Sequence, residues 1–135
     1  NPLDHRYRYS RWTGDEWLDY EVAFAGERLY SGEDDFTGNI ALDPNNPAVV
    51  YISTNVNPTT GAPLPSGHYE IFQGRTNDDG MNWIWLPITE NSTEDNIRPI
   101  VPDWDEQNTA VIWLQGTYDR YTDFNLKVVG VIISE

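Results

Sequence analysis

Three places in the sequence gather side chains able to grip or transform a ligand. The first is Arg98 in "NIRPIV", next to Asp95 and Asn96. A guanidinium there can hold a carboxylate through two parallel hydrogen bonds, and it can equally pair with the carboxylates beside it in the chain. The second is "GTYDRYTD", where Tyr118, Arg120 and Tyr121 follow a glycine. Aromatic faces, a cation and phenolic donors are what carbohydrate recognition uses, although packed tyrosines in an ordinary loop would read the same way. The third is His68 with Tyr69, after the loop "NPTTGAPLPSG". Histidine and tyrosine are the base and acid that β-elimination from a uronate needs, but a single histidine at a strand start also serves structure. No complete acid, base and nucleophile set is present, so no catalytic residue is assigned and the isolated chain is expected to be inactive.

Charge narrows the partners. Eight Lys and Arg against 22 Asp and Glu leave 8 − 22 = −14, a field that repels nucleic acid and anionic membranes. It also opposes an anionic substrate, unless a local cluster such as Arg98 with Arg120 dominates within a Debye length of about 8 Å. With 39% hydrophobic residues, six Trp and eight Tyr, the chain is too apolar for an acidic disordered tail. The absence of cysteine excludes disulfides and thiolate metal sites. The opening "NPLDHRYRY" reads as a processed or excerpted chain.

These residues must be positioned by strands, since β-branched and aromatic residues alternate in short runs broken by Gly, Pro, Asn and Asp. "HRYRYSRW" and "EWLDYEVAF" form a hairpin about "TGD"; "NIALD", "AVVYIST", "HYEIFQGR" and "NWIWLPIT" make four strands; "NIRPIV", "AVIWLQG" and "NLKVVGVII" make three. Two segments repeat: "NIALDPNNPAVVYIST" is similar to "NIRPIVPDWDEQNTAVIWLQG", and the opening hairpin to "IFQGRTNDDGMNW". Strands in the order two, four, three predict an all-β fold of about two and a quarter four-stranded β-propeller blades. Residues 1–37 supply an outer hairpin and linking loop, 38–90 a complete blade, and 91–135 the inner three strands of a last one. A stand-alone sandwich or jelly roll also accommodates nine short strands. Too few blades to close a ring imply completion by a further part of the propeller or by other copies.

The turn "TNDDGMNW" fits the Asp-box pattern, with Thr76, Asp78, Gly80 and Trp83 in its key places. Asp78 can accept from backbone amides, Gly80 permits positive φ, and Trp83 packs at the start of the outer strand. This is a structural assignment; calcium would need about six oxygen ligands, which the turn does not offer, and no metal or cofactor is expected.

The turn together with "DDFTGNIALDPNNPAVVYIST", "GHYEIFQGRTNDDGMNWIWLPITENSTEDNIRPIVP" and "GTYDRYTDFNLKVVGVI" resembles the C-terminal part of the neuraminidase-repeat β-propellers of carbohydrate-active proteins. That group includes ulvan-type and related polysaccharide lyases and rhamnosidase-like proteins. The resemblance implies an acidic, uronate-containing polysaccharide as partner, lyase chemistry in a longer parent protein, and a secreted or cell-surface location. It places the family's catalytic His and Tyr in an earlier part of the ring. Two other readings remain open: a protein that assembles by strand complementation between copies, and a non-catalytic carbohydrate-binding module built on Tyr118, Arg120 and Tyr121.

Overall fold

The computed structural model describes residue 1 and residues 3–134. Nine strands and no helix are present among them: β1 (His5–Trp12), β2 (Trp17–Gly26), β3 (Ile40–Asp43), β4 (Asn46–Thr54), β5 (Glu70–Arg75), β6 (Ile84–Pro87), β7 (Asp95–Ile100), β8 (Asn108–Arg120) and β9 (Asp123–Ser134). They form three open antiparallel sheets, ordered β1-β2, β3-β4-β5-β6 and β7-β8-β9. The expected division into two, four and three strands is therefore observed, and the protein is all-β.

Alternation explains how the sheets stack. Successive side chains of a strand point to opposite faces, and β4 is apolar on both. Val50 and Ile52 join Tyr7, Val22, Ala23 and Phe72 in one core cluster. Val49 and Tyr51 join Ile71, Val111 and Trp113 in a second. The four-stranded sheet is thus the middle layer, with β1-β2 on one face and β7-β8-β9 on the other. Each of these buried aliphatic side chains contributes about 1.5–3 kcal/mol of transfer free energy.

Polar ties cross the layers as well. Tyr7 donates its hydroxyl to the Ser53 carbonyl at 2.8 Å, and Ser53 Oγ donates to the Asn96 carbonyl at 2.5 Å. One chain of bonds thereby runs from the first sheet through the second into the third. Burial pushes the Tyr7 phenol far above its ordinary range, with the neighbouring Tyr69 adding to the rise. It remains a donor.

Strand ends differ from the expectation most in three places. Thr117–Arg120, expected as a loop, continues β8, and the hairpin turns only at Tyr121 and Thr122. Gly116 makes this possible: at φ 146 its Cα lies so close to β9 that a Cβ would meet the Asn125 carbonyl oxygen at 2.0 Å. At β5, His68 and Tyr69 stay outside the strand because Asp95 Oδ1 takes the Tyr69 amide at 3.1 Å. At β6, Asn82 and Trp83 belong to the preceding turn, whose hydrogen bonds they complete.

Candidate functional site

Arg98 sits where β7 bulges. Ile97 pairs with Leu114 and Ile100 with Ile112, so three steps along β7 match two along β8. Arg98 takes up the excess in a left-handed conformation, φ 56, an uncommon backbone for a residue with a Cβ. Its amide donates to the Gly38 carbonyl at 2.7 Å. Gly38 in turn lies so close to β4 that a Cβ would meet Ser53 Oγ at 2.2 Å. The backbone of "FTGN" therefore sets the direction of Arg98.

The guanidinium lies over the Tyr118 ring, its Cζ 4.9 Å from the centroid, and Nη2 donates to the Tyr118 hydroxyl at 3.2 Å. No carboxylate among the described residues forms an ion pair with it, whereas Arg6, Arg8, Arg11 and Arg28 all have one. Of the two roles open to Arg98, pairing with its acidic neighbours is not what the geometry shows.

Around this pair opens a cleft of about 230 Å³. Tyr30, Glu33 and Phe36 line it together with Arg98 and Tyr118, and Tyr121 joins them from the hairpin tip. The ring centroids of Tyr30 and Tyr118 are 5.6 Å apart, and those of Tyr118 and Phe124 6.1 Å apart. Tyr30 and Phe36 come from the acidic loop after β2, folded back on itself by the Leu29 amide donating to the Phe36 carbonyl at 2.9 Å. Burial and then the charge of Glu33 raise the Tyr30 phenol above its ordinary value, keeping it a donor.

Of the residues singled out in the sequence, Arg98, Tyr118 and Tyr121 meet in this cleft; Arg120 and His68 do not line it. Arg120 is exposed at the end of β8. His68 lies before β5, its Nδ1 3.1 Å from Asp95 Oδ1. Tyr69 is 5% exposed and donates to the Glu27 carbonyl at 2.5 Å; burial pushes its phenol up to about 12. These two residues tie β5 to β7 and to the loop after β2. Tyr30, Glu33 and Phe36 were not singled out beforehand, and the available signal was two aromatics in a loop otherwise rich in acid and glycine.

The turn from Thr76 to Trp83 spends its polar groups on itself. Thr76 Oγ1 accepts the Gly80 amide at 2.9 Å and donates to Asp78 Oδ1 at 3.0 Å. Asp78 also accepts the Asn82 amide at 2.8 Å and the Asn82 side-chain amide at 2.7 Å, and these bonds hold its carboxyl below the usual range. Asp79 and Gly80 have φ 61 and 104, and Trp83 Nε1 donates to the Gly80 carbonyl at 2.9 Å. The Trp83 ring meets Tyr9 of β1 edge-on at 5.2 Å, so the turn clasps the first sheet to the second. Among the described residues, no three His, Asp or Glu side chains converge as metal ligands.

Fold and site together define an all-β protein of three stacked antiparallel sheets with an arginine-centred aromatic cleft. No protein-family model, no curated protein and no solved structure matches the chain.

Proposed function

We propose that this chain binds a carboxylate-bearing polysaccharide in the Arg98 cleft, and that its sheets are blades of a carbohydrate-active β-propeller. The observation that carries the reading is Arg98 itself. In a chain of net charge −14, it is held in an uncommon backbone conformation with its guanidinium among aromatic rings and no carboxylate of the described residues paired to it. A uronate supplies both complements: a carboxylate for the guanidinium fork and a C–H face for a ring of Tyr30 or Tyr121. Face-to-face stacking of sheets in the order two, four, three supports the propeller.

Binding, not cleavage, is the activity assigned. Elimination needs a base at the uronate C5 and an acid at the leaving oxygen, and His68 and Tyr69 are engaged elsewhere. Titration calorimetry with an oligouronate, and with the same oligomer reduced to its neutral form, tests the reading. Arg98→Gln should weaken uronate binding about 10- to 100-fold, the value of about 1.5–3 kcal/mol for a hydrogen bond to a charged group. Equal affinity for the neutral oligomer, or full affinity in a folded Arg98→Gln variant, would refute it.

A further inference from the structure

Three open sheets have six edges, and four of them are short or bonded in part to a neighbouring segment. β3 is four residues long and irregular at Leu42/Asp43, while β6 is four residues long and ends at Pro87. On β2 the Phe24 amide is bonded to the Pro58 carbonyl of the long loop, and on β7 the amides of Asn96 and Arg98 are bonded to Tyr69 and Gly38. The edges of β1 and β9 remain, eight and twelve residues long.

Beside the β1 edge the stack has a gap. β1 lies over β4, with the Tyr9 hydroxyl donating to the Pro47 carbonyl at 2.8 Å, and β2 lies over β5 and β6 through Val22 and Ala23. On this face no strand of the described residues lies over β3, and Leu42 is 58% exposed. The result is a slot of about 540 Å³ between Arg8, Tyr9 and Trp12 on one side and Ile40 and Leu42 on the other. Adjacent strands are spaced about 4.8 Å apart, so the next strand beyond β1 would fall into this slot. Arg11, also on its wall, has a buried Nε without a hydrogen-bond partner.

The strand that fits is in the same sequence. Ala110 opposite Ile132, and Leu114 opposite Val128, place one side-chain row of β8-β9 on the face turned from the middle sheet. Val128 and Ile132 are 70% and 66% exposed. The β9 row Leu126, Val128, Gly130, Ile132 carries no charge, and the slot is lined by Arg8 and Arg11 and by no carboxylate. In a chain of net charge −14, a contact lined by no carboxylate avoids the repulsion that acidic surfaces of two copies would bring.

We propose that the β9 edge of one copy adds to the β1 edge of a second copy, seating Val128 and Ile132 over Ile40 and Leu42. One contact then pairs both open edges and covers both apolar faces. Because β1 and β9 are different surfaces, the contact is head-to-tail and propagates into a ring or an open filament. It does not involve the Arg98 cleft.

Light scattering on the full chain, from dilute to concentrated solution, provides the test. Thr13 donates to Glu16, so alternation turns the Ser10 amide to the free side of β1. Ser10→Pro blocks that edge, and Ile132→Lys blocks β9. Wild type should gain mass with concentration, and each variant, folded by circular dichroism, should stay monomeric. Leu42→Glu, which charges the slot without touching β1, should match Ser10→Pro. An equimolar mixture of Ser10→Pro and Ile132→Lys should give a dimer and nothing larger, since one intact β9 then meets one intact β1. A monomeric wild type, association surviving in any of the variants, or a mixture that stays monomeric would overturn the proposal.

Discussion

Asn96→Leu attacks the polar tie between the middle and third sheets. The Asn96 side chain is fully buried. Its Oδ1 accepts from Trp113 Nε1 at 2.8 Å and Gln115 Nε2 at 2.9 Å, while Nδ2 reaches the Tyr69 carbonyl at 3.1 Å and Glu70 Oε1 at 3.2 Å. Leucine keeps the volume and removes all of these bonds, together with those from Nδ2 to Ser92 Oγ and the Glu94 carbonyl. Trp113, 5% exposed, is left with a stranded N–H, at about 1–3 kcal/mol. Glu70, 3% exposed, keeps Thr89 and Ser92 but loses its third donor, at about 1.5–3 kcal/mol. Gln115 is half-buried and can turn toward water. With leucine burial offsetting about 1–2 kcal/mol, the net loss is about 3 kcal/mol. At a slope of about 2 kcal/mol per molar urea, the unfolding midpoint should fall by about 1.5 M. Tryptophan fluorescence follows the transition, with exposed Asn125→Ala as the control. A fall below about 0.5 M would refute the reasoning, because the network would then contribute no more than one ordinary hydrogen bond. Asn96→Asp sharpens the test: it keeps the shape and sets a second carboxylate against Glu70. Its carboxyl should therefore titrate high in the fold, and the lost stability should return as pH falls.

Other predictions concern backbone and charge. Gly38→Ala should destabilise the fold and weaken uronate binding together, because the added Cβ must displace Ser53 and carry with it the carbonyl that fixes Arg98; thermal melting and calorimetry on the same sample check both. Acid should unfold the protein through its hydrogen-bonded carboxylates. Asp4, Asp19, Asp78 and Asp105 are all held below their ordinary values: Asp4 by Arg6, Asp19 by Arg8, Asp78 by Asn82 and Asp105 by Asn108. Groups lowered in the folded state stabilise it above the unfolded value of about 3.9 and cease to do so as pH falls through the folded ones. Stability should thus drop below about pH 4, with a shallower drop in Asp78→Asn, measured by urea unfolding across pH.

Much of the architecture was legible because its signals are local. Alternation in "HRYRYSRW" and the unbroken apolar run of "AVVYIST" mark a half-exposed and a doubly buried strand, and the turn from Thr76 to Trp83 is made from its own residues. The cleft was legible by half. Arg98, Tyr118 and Tyr121 stand out as residue types, but their meeting depends on a bulge in β7 and on the close passage of Gly38, which no periodicity announces. Tyr30 and Phe36 arrive through a loop whose shape is set by backbone hydrogen bonds among Leu29, Tyr30, Glu33 and Phe36. The continuation of β8 through "GTYDR" was hidden because glycine and charged residues normally interrupt strands, and here the exposed hairpin tolerates them. Asn96 is conspicuous only in three dimensions, since its partners come from β5, from β8 and from the segment before β7.

The position of β4 has a consequence for how the molecule comes apart. A strand with protein on both faces and a hydrogen-bonded neighbour on each side has no boundary with solvent along its apolar length. Losing either outer sheet would bare one complete row of it, Val50 and Ile52 or Val49 and Tyr51. The three sheets are therefore not modules that can be trimmed away one at a time. Their unfolding is a single cooperative event, and the amides of β4 exchange with solvent only when the whole stack opens.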